Sequence, residues 1–414
     1  MIDWRLNDAM DGKFVGRTAS FLTQDLTYFE SALTDAIAGS RILFIGAAGS
    51  IGLNTLKTIA RFKPAALHVI DHNENGLAEI VRTLRSSATP FDVEDFLLLP
   101  FDYGARPFAQ WIKTQDKGYD YILNFAALKH VRSEKDPYSI LAMLDTNVLK
   151  LQGLSQTFAD DARVKRAFCV STDKAANPSS MMGATKRLME HALFGQSRGW
   201  ADSTKITSAR FANVAMSNGS LLQSWRYRVE QNQPMACPDG CKRYFVTLSE
   251  AGHLCTLGAL LGETDSILVP KLNPEDHLVT LQSVAETYLD SIGYTPHFTT
   301  DVEEARATVL TLKTQKKWPV LLTPLDTAGE KPYEEFVAKN ETVLTTDFAD
   351  LDRVPYMPPA QPDTFDAFMK TADAMLNGQR GLVTLDAIKD AICTVEDAFR
   401  ASHVTSTKSL DQRV

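Results

Sequence analysis

Five short apolar runs alternate with helical stretches between Arg41 and Val170, and this alternation limits the folds open to the chain. Such a pattern is typical of a parallel sheet covered by helices. Helical stretches such as Gly52–Phe62 and Ser139–Asp160 separate the runs. The predicted strands are Ile42–Ile45, Leu67–Ile70, Phe96–Leu99, Tyr121–Asn124, Ala167–Val170 and, after these five, Ile206–Phe211. The sequence therefore predicts an α/β fold with a doubly wound parallel sheet.

Composition argues against several classes of function. The net charge of −8 argues against a general affinity for nucleic acid or for an anionic membrane. Residues 1–8 lack the apolar core of a signal peptide, and no apolar run reaches the ~20 residues that a membrane helix needs. We therefore expect a cytoplasmic protein without membrane insertion.

The five cysteines are too few for a disulfide scaffold, which fits a reducing compartment. Cys237 and Cys241, with His253 and Cys255 downstream, raise the alternative of a zinc site. Their spacing matches no standard zinc finger, and the sequence has no second close pair of cysteines. We expect reduced cysteines and no metal.

A Gly-x-x-Gly-x-x-Gly motif lies between the first predicted strand and the first helix. Glycines there allow a tight turn and close approach of the backbone to a pyrophosphate, and the helix N-terminus supplies amide donors for the anion. A glycine triplet is a weak signal by itself. Asp71 strengthens it, because it ends the second strand 19 residues after Gly52, where a carboxylate can bind the adenosine ribose hydroxyls. We predict a dinucleotide site that includes Gly46, Gly49, Ser50, Ile51, Gly52, Asp71 and His72.

A run of proton-handling side chains, Ser171-Thr172-Asp173-Lys174, follows the fifth predicted strand. In an open α/β sheet, ligands bind at the carboxyl ends of the strands. A second lysine, Lys186, lies on a helix that begins near Met182, four residues before it and on the same face. These residues predict a reaction site.

The run and the Met182-x-x-x-Lys186 pattern resemble the active site of the extended short-chain dehydrogenase/reductases. The resemblance is strongest to the nucleotide-sugar 4,6-dehydratases of bacterial polysaccharide biosynthesis, and it extends from about Gly16 to Glu335. That family usually has tyrosine where this chain has Met182, histidine at Asn124 and arginine at Asp326. The resemblance implies a Rossmann-like domain with a smaller substrate-binding lobe.

The resemblance also implies more of the cofactor site. Asp102 and Tyr103, after the third strand, are similar to the family's residues that meet the adenine amino group. Lys186 is expected to hold the nicotinamide ribose. Asp71 would repel the 2′-phosphate of NADP and so favours NAD, although His72 and Arg82 leave NADP open. The remaining predicted cofactor residues are Ala126, Ala127, Lys129 and Asn147.

By resemblance, Asp173 and Lys174 are the acid and base that remove water between C5 and C6 of the sugar, after its C4 has lost a hydride to the cofactor. Such chemistry needs one acid and one base within reach of adjacent carbons. Since Met182 has no phenol, Asp173 is the nearest group to accept the C4 hydroxyl proton, with Ser171 or Thr172 as a relay.

Three further segments are similar to substrate-binding elements of that family. They begin at Arg210, Lys242 and Ala328, and the second supplies Arg243, whose guanidinium suits the paired oxygens of a diphosphate. The predicted substrate-binding residues are Lys129, His130, Asn213, Ser220, Arg243 and Glu330.

At 414 residues the chain exceeds the ~250–300 residues at which one core stops growing, so we expect two lobes. We predict a lead segment (1–38), a dinucleotide-binding domain (39–212), a substrate-binding lobe interleaved with the last sheet elements (213–340) and a C-terminal extension (341–414). The extension contains a helical stretch, Leu385–Ala401.

The predicted function is that of a 4,6-dehydratase acting on a UDP-sugar, UDP-N-acetylglucosamine first, and the resemblance implies a homo-oligomer. Two alternatives stay open. An epimerase or oxidoreductase of the same fold would convert the sugar without losing water. A non-catalytic dinucleotide-binding relative would explain the altered positions Asn124, Met182 and Asp326.

Overall fold

Strands and helices alternate through the computed structural model, which describes residues 4, 9–17, 19–88, 91–129, 134, 136–196, 198–325, 333–361, 363–379 and 383–403. Its strands are β1 Arg41–Ile45, β2 Ala66–Ile70, β3 Asp95–Leu99, β4 Tyr121–Asn124, β5 Arg166–Val170, β6 Lys205–Ala209, β7 Asn213–Val214, β8 Met235–Pro238, β9 Lys242–Val246, β10 Ser266–Pro270, β11 Leu278–Thr280, β12 Thr295–Thr299, β13 Lys317–Thr323 and β14 Leu351–Pro355. Its α-helices are α1 Ala9–Val15, α2 Thr23–Tyr28, α3 Glu30–Ile37, α4 Ser50–Ala60, α5 Glu74–Arg85, α6 Arg106–Ile112, α7 Pro137–Leu144, α8 Lys150–Thr157, α9 Met181–Phe194, α10 Leu221–Glu230, α11 Leu248–Leu261, α12 Pro274–His277, α13 Leu281–Ser291, α14 Val302–Thr314, α15 Asp363–Leu376, α16 Leu385–Val395 and α17 Phe399–Ser402.

Eight strands form one large sheet in the order β14-β10-β6-β5-β4-β1-β2-β3. Neighbours run parallel, except that β14 is antiparallel to β10. The pairing places Ile45 opposite Asn124, and Asn124 opposite Cys169, so β1, β4 and β5 end at the same edge. The loops that follow these strands are therefore neighbours in space.

Apolar side chains alternate between the two faces of this sheet, as a strand period of two requires. Leu43 and Ile45 pack with the helices α6–α9 and α15–α17, whereas Ile42 and Phe44 pack with α2–α5 and α11. Helices thus cover both faces. The predicted α/β, Rossmann-like fold with a doubly wound sheet is confirmed.

Two smaller sheets, β11-β9-β7 and β12-β13-β8, build the second lobe. Its core includes Trp225, Tyr288 and Trp318 together with Phe14 from α1. The lobe lies between β6 and β14 in the chain, while β10 from the same stretch joins the large sheet.

The N-terminal segment is tied to later parts of the chain through two buried carboxylates. Arg17 donates from Nε and Nη2 to Glu250 at 2.9 and 2.8 Å. Asp25 accepts hydrogen bonds from the backbone amides of Ala349 and Asp350, just before β14. Among the helices of the described ranges, none has both the length and the apolar character needed to cross a bilayer.

Three predicted elements differ in detail from the structure. The helix predicted at Ser139–Asp160 begins at Pro137 and contains a π-helical turn, Asp145–Leu149, between α7 and α8. The strand predicted to reach Phe211 ends at Ala209, because Asn213 and Val214 pair with β9 in a smaller sheet. The helical stretch near the C-terminus forms two helices, α16 and α17, and residues 341–414 also supply β14 to the large sheet.

Candidate active site

The glycine loop after β1 packs tightly against the loop after β4. Gly46 has φ of +77°, and a Cβ there would lie 2.3 Å from the backbone nitrogen of Ala126. A Cβ on Gly52 would lie 2.7 Å from the carbonyl oxygen of Gly46. Gly49 is the N-cap of α4, whose first turn contains Ser50 and Ile51. Glycine is therefore required for this packing, and the free amides of α4 face the loop region.

A cleft of about 390 Å³ opens at this edge of the large sheet. It brings together residues predicted from four separate segments, with Asn73, Leu128, Thr146 and Asn218 as further members. The predicted cofactor residues that line it are Gly46, Gly49, Asp71, His72, Asp102, Tyr103, Ala126 and Ala127.

Asp71 is a buried carboxylate at the end of β2. Its Oδ2 accepts a hydrogen bond from Ala48 N, and its Oδ1 accepts one from Asn73 N, both at 2.9 Å. The carboxylate thus holds the glycine loop and the start of α5 together. Each oxygen keeps a second lone pair, so Asp71 can still accept hydrogen bonds from a ligand.

Asp102 and Tyr103 line the cleft just after β3, the strand next to β2. Burial raises the pKa of Asp102, but hydrogen bonds from Lys150 Nζ at 2.7 Å and from Gly104 N outweigh it, so the pKa is lowered. Tyr103 donates its hydroxyl to Thr146 O, and burial raises its pKa well above the ordinary value. Asp102 is therefore a fixed anion, and Tyr103 is a neutral wall residue.

Two asparagines shape the loop after β4. Asn124 Oδ1 accepts a hydrogen bond from Ala126 N at 2.9 Å. Asn147, in the π-helical turn, bonds both the N and the O of Leu128 at 2.9 Å and donates to Thr185 Oγ1 at 3.1 Å. The described contacts of Asn147, predicted to bind the cofactor, are those of a residue that holds the loop in shape.

Thr172, Asp173 and Lys174 come together in the turn that follows β5. Asp173 Oδ1 accepts hydrogen bonds from Thr172 Oγ1 at 2.7 Å and from Lys174 Nζ at 3.1 Å. Glu334 Oε1 lies 3.9 Å from the same Nζ. Burial lowers the pKa of Lys174, but Asp173 and Glu334 outweigh it and raise the pKa above its ordinary value. The turn thus holds an ammonium group against a buried carboxylate.

Ser171 lies outside this group. Its Oγ donates to Glu190 Oε1 at 2.6 Å, because consecutive side chains of extended backbone point in opposite directions. Glu190 is fully buried and is also bonded by Arg210. Burial raises the pKa of Glu190, but Arg210 outweighs it and lowers the pKa to about 2.

Met182 and Lys186 lie on α9, whose residues are all buried. Met182 is one residue after the start of this helix, and its backbone amide donates to Glu134 Oε1 at 3.2 Å. Lys186 Nζ donates to Val170 O at 2.8 Å, and burial lowers the pKa of this lysine. The helix therefore places Lys186 directly at the end of β5.

Two of the predicted substrate residues lie near Thr172-Asp173-Lys174, which we call the reaction turn. Arg243 in β9 and Lys129 each interact electrostatically with Lys174, and burial together with Lys174 lowers the pKa of Lys129. Asn213 Nδ2 donates to Tyr244 O at 3.5 Å. Ser220 accepts from Gln223 N as the N-cap of α10. His130, Asp326 and Glu330 lie outside the described residues.

Sequence reasoning missed Glu334, Asn218 and Glu190. Asn218 N donates to Ser50 Oγ at 2.9 Å, which connects the second lobe to the first turn of α4. Glu190 lies one helical turn after Lys186, and this spacing indicates that the two side chains share a face of α9. Within the described ranges, the His, Cys, Asp and Glu side chains form no group of three that could hold a metal ion, and the five cysteines are buried free thiols.

Comparison with known proteins connects this chain to polysaccharide biosynthesis. A family model described as "Polysaccharide biosynthesis protein" matches residues 42–355. An uncharacterized membrane protein of Methanocaldococcus jannaschii is 29% identical over 318 residues, which cover 75% of this chain and 84% of that protein. The probable polysaccharide biosynthesis protein EpsC of Bacillus subtilis is 26% identical over 318 residues, 76% of this chain and 48% of EpsC. The chain thus spans about half the length of EpsC.

Three solved structures share the fold. Pen from Bacillus thuringiensis has a TM-score of 0.62 at 21% identity, covering 83% of this chain and 98% of Pen. The UDP-N-acetylglucosamine 4-epimerase of Methanobrevibacter ruminantium has 0.51 at 14%, covering 73% and 91%. The dTDP-glucose 4,6-dehydratase DesIV of Streptomyces venezuelae, solved with NAD, has 0.50 at 18%, covering 72% and 88%. At these identities the likeness shows the fold, which carries both epimerases and dehydratases.

Proposed function

We propose, from the fact that the chain belongs to the polysaccharide biosynthesis protein family, that it is an NAD-dependent nucleotide-sugar 4,6-dehydratase acting on UDP-N-acetylglucosamine. The observation that carries the proposal is the contact between Lys174 Nζ and Asp173 Oδ1 at 3.1 Å, in the turn that follows β5, the strand next to β4. An elimination needs an acid and a base side by side. These two residues offer both.

The cleft suits a dinucleotide. Gly46 leaves room that a Cβ would fill, and the amides of Ser50 and Ile51 at the start of α4 would hold a pyrophosphate. Asp71 would accept hydrogen bonds from the ribose hydroxyls and would repel a 2′-phosphate, which favours NAD. When bound, NAD would take a hydride from C4 of the sugar and return it to C6.

Asp173 and Lys174 would perform the elimination. In the structure the ammonium group of Lys174 donates to the carboxylate of Asp173. Uptake of the C4 hydroxyl proton through Thr172 would turn Asp173 into the carboxylic acid. Without that negative charge, burial favours the neutral amine of Lys174, whose own proton passes to solvent. The amine can then take the proton from C5, while the acid donates its proton to the C6 hydroxyl, which leaves as water.

Thr172 would carry the proton of the C4 hydroxyl. Met182 cannot exchange a proton, whereas the Thr172 hydroxyl already bonds Asp173 at 2.7 Å and can pass a proton to it. Ser171 is a weaker candidate for this relay, because its hydroxyl is bonded to Glu190 on the other side of the backbone.

The cations around the turn would bind the diphosphate of the substrate. Lys129 and Arg243 lie near enough to Lys174 to affect its charge or to be affected by it. A guanidinium and an ammonium group suit phosphate oxygens. The family assignment to polysaccharide biosynthesis supports a sugar nucleotide as the ligand.

Mass spectrometry of the product tests the proposal. Purified protein is incubated with NAD and UDP-N-acetylglucosamine, and we expect the nucleotide sugar to lose the mass of one water. The second candidate is a 4-epimerase, because the same fold carries one in Methanobrevibacter ruminantium. An epimerase would give an isomer of unchanged mass that chromatography separates. Bound cofactor without turnover of any sugar nucleotide would point to a non-catalytic relative.

A further inference from the structure

A chain of hydrogen bonds connects the reaction turn to a group of buried charges. Ser171 Oγ donates to Glu190 Oε1, and Glu190 Oε2 accepts from Arg210 Nη2 at 2.6 Å and from Arg187 Nη1 at 3.1 Å. These side chains are almost inaccessible to solvent. Buried charges lose their hydration and are stable only with close partners, so the position of the Ser171 hydroxyl depends on the whole group.

Two further carboxylates complete the group from the C-terminal side. Arg210 donates two hydrogen bonds to Glu341, at 2.6 and 2.8 Å, and Arg187 donates one at 2.8 Å. Arg187 Nε lies 3.3 Å from Glu396 Oε1, which is also 2.6 Å from His191 Nε2. Glu396 lies beyond the residues 42–355 that match the family. Part of the charge group therefore comes from a segment outside the family match.

We call the described residues from 356 to 403 the C-terminal segment. Besides Glu396, it supplies Tyr356, whose hydroxyl lies 2.9 Å from His191 Nδ1. Its last helix also reaches the loop after the reaction turn, since Ser402 Oγ donates to Pro178 O at 2.7 Å. His403 Nε2 lies 3.9 Å from Glu134 Oε2, and the other oxygen of Glu134 bonds Met182 N. The segment thus touches the frame of the site at three places.

The balance of charges in the buried group allows Glu396 to be replaced without changing any other residue. The group contains two guanidinium groups (Arg187 and Arg210) and three carboxylates (Glu190, Glu341 and Glu396). Removal of the Glu396 charge leaves two cations and two anions. Glu396 is also the most solvent-exposed of the five, with 18% of its side chain accessible. A glutamine at this position is therefore compatible with the buried group.

From these contacts we infer that the C-terminal segment positions the reaction site, with Glu396 as its positioning residue. Glu396 orients Arg187, and Arg187 orients Glu190. Glu190 in turn holds the hydroxyl of Ser171, the residue immediately before Thr172, Asp173 and Lys174. Only the kinetic consequence of this inference rests on the proposed function. The structural consequence does not require turnover.

Hydrogen–deuterium exchange tests the structural consequence. In Glu396→Gln we expect the backbone amides of residues 171–186 to exchange about tenfold faster, as expected when a hydrogen bond to a charged group is lost. The matched control is Asp390→Asn, which removes a carboxylate from the same segment, where it pairs with Arg400 on the surface. Exchange of residues 171–186 in that control should equal that of the unchanged protein. Equal exchange in Glu396→Gln would overturn the inference.

A second variant keeps the test decisive. If Glu396→Gln does not fold, Tyr356→Phe removes only the hydroxyl that bonds His191 and leaves every charge in place, and faster exchange of residues 171–186 is again expected. Unchanged exchange there would overturn the inference.

Where the unchanged protein turns over its substrate, Glu396→Gln should lower kcat about tenfold at constant KM, and Glu396→Asp should recover part of it. A rise in KM alone would contradict positioning of the reaction turn. Absence of turnover by the unchanged protein would contradict the proposed function and leave the exchange result valid.

Discussion

Lys174 Nζ lies 3.1 Å from Asp173 Oδ1, so the two side chains form one hydrogen-bonded pair. Because the proposed elimination needs both the acid and the base of this pair, we expect Asp173→Asn and Lys174→Ala each to slow water elimination by about 10³-fold. The double variant should be no slower than the worse single variant, since residues that act as a unit have non-additive effects. Initial rates of keto-sugar formation measured by mass spectrometry check this. A double variant at the native rate would refute the assigned roles.

By the resemblance of the sequence motif, Met182 stands where the dehydratase family usually has a tyrosine. Its side chain is buried, and the proposed reaction gives it no chemical step. Leucine has nearly the same volume, so Met182→Leu should stay within about threefold of the native rate, because volume-conserving swaps are well tolerated. The same rate assay measures this, with the melting temperature as a check on folding. A loss of 100-fold or more would show that the thioether takes part in the reaction.

Gly46 combines a positive φ with a close backbone neighbour. Gly46→Ala should abolish cofactor binding, because its Cβ would fall 2.3 Å from Ala126 N. Gly378 is a matched control, since its φ of +76° equals that of Gly46 within a degree and no atom lies within 4 Å of an added Cβ. Both variants carry the backbone strain of about 1–2 kcal/mol. Calorimetric titration with NAD should therefore show binding by Gly378→Ala alone.

In the proposed function, Asp71 selects between the two nicotinamide cofactors. Asp71→Asn keeps one acceptor oxygen but loses the charge that repels a 2′-phosphate. We expect the Kd for NAD to rise and the preference for NAD over NADP to shrink by about tenfold or more. Asp92→Asn is the control, because Asp92 pairs with Lys63 on the surface. A preference for NAD that survives Asp71→Asn unchanged would assign cofactor selection to another residue.

The buried carboxylate of Glu190 makes the free energy of unfolding depend on pH. Its pKa of about 2 lies below the ordinary value of 4.5, because Arg210 overcomes the effect of burial. A lowered carboxylate pKa stabilises the fold above about pH 4.5, and this stabilisation is lost as the pH falls from 4.5 toward 2. The full loss from Glu190 is on the order of 3 kcal/mol, and about 2 kcal/mol of it has occurred at pH 3. Urea unfolding at pH 7 and pH 3 measures it, and an equal free energy of unfolding at both values would contradict the buried ion pair.

The sequence predicted β1 to β6 to within two residues at every end, because most of these strands are short apolar runs with turn residues on both sides. It also placed Asp71, Asp102 and Gly46 around one cleft. These residues follow parallel strands, and strand ends meet at one edge whatever the details of packing.

The buried charge group was not predictable in the same way. Glu190, Arg210, Glu341 and Glu396 are distant in the chain, and only the folded structure brings their charges together. Helix α15 was not predicted. No sequence pattern marks the π-helical turn that carries Asn147. The side chain of Asn147 bonds the loop after β4, a contact that forms only in the folded chain.

The antiparallel pairing of β14 with β10 also means that the large sheet is completed only when residues 351–355 have been synthesised. A nascent chain that has left the ribosome only as far as residue 340 holds Arg187 and Arg210 with Glu190 as their single carboxylate partner in this group. Two guanidinium groups against one carboxylate are poorly suited to burial. Residues 341–396 then supply both the edge strand β14 and the carboxylates of Glu341 and Glu396. The buried charge group is thus expected to close only after residues 341–396 have been synthesised.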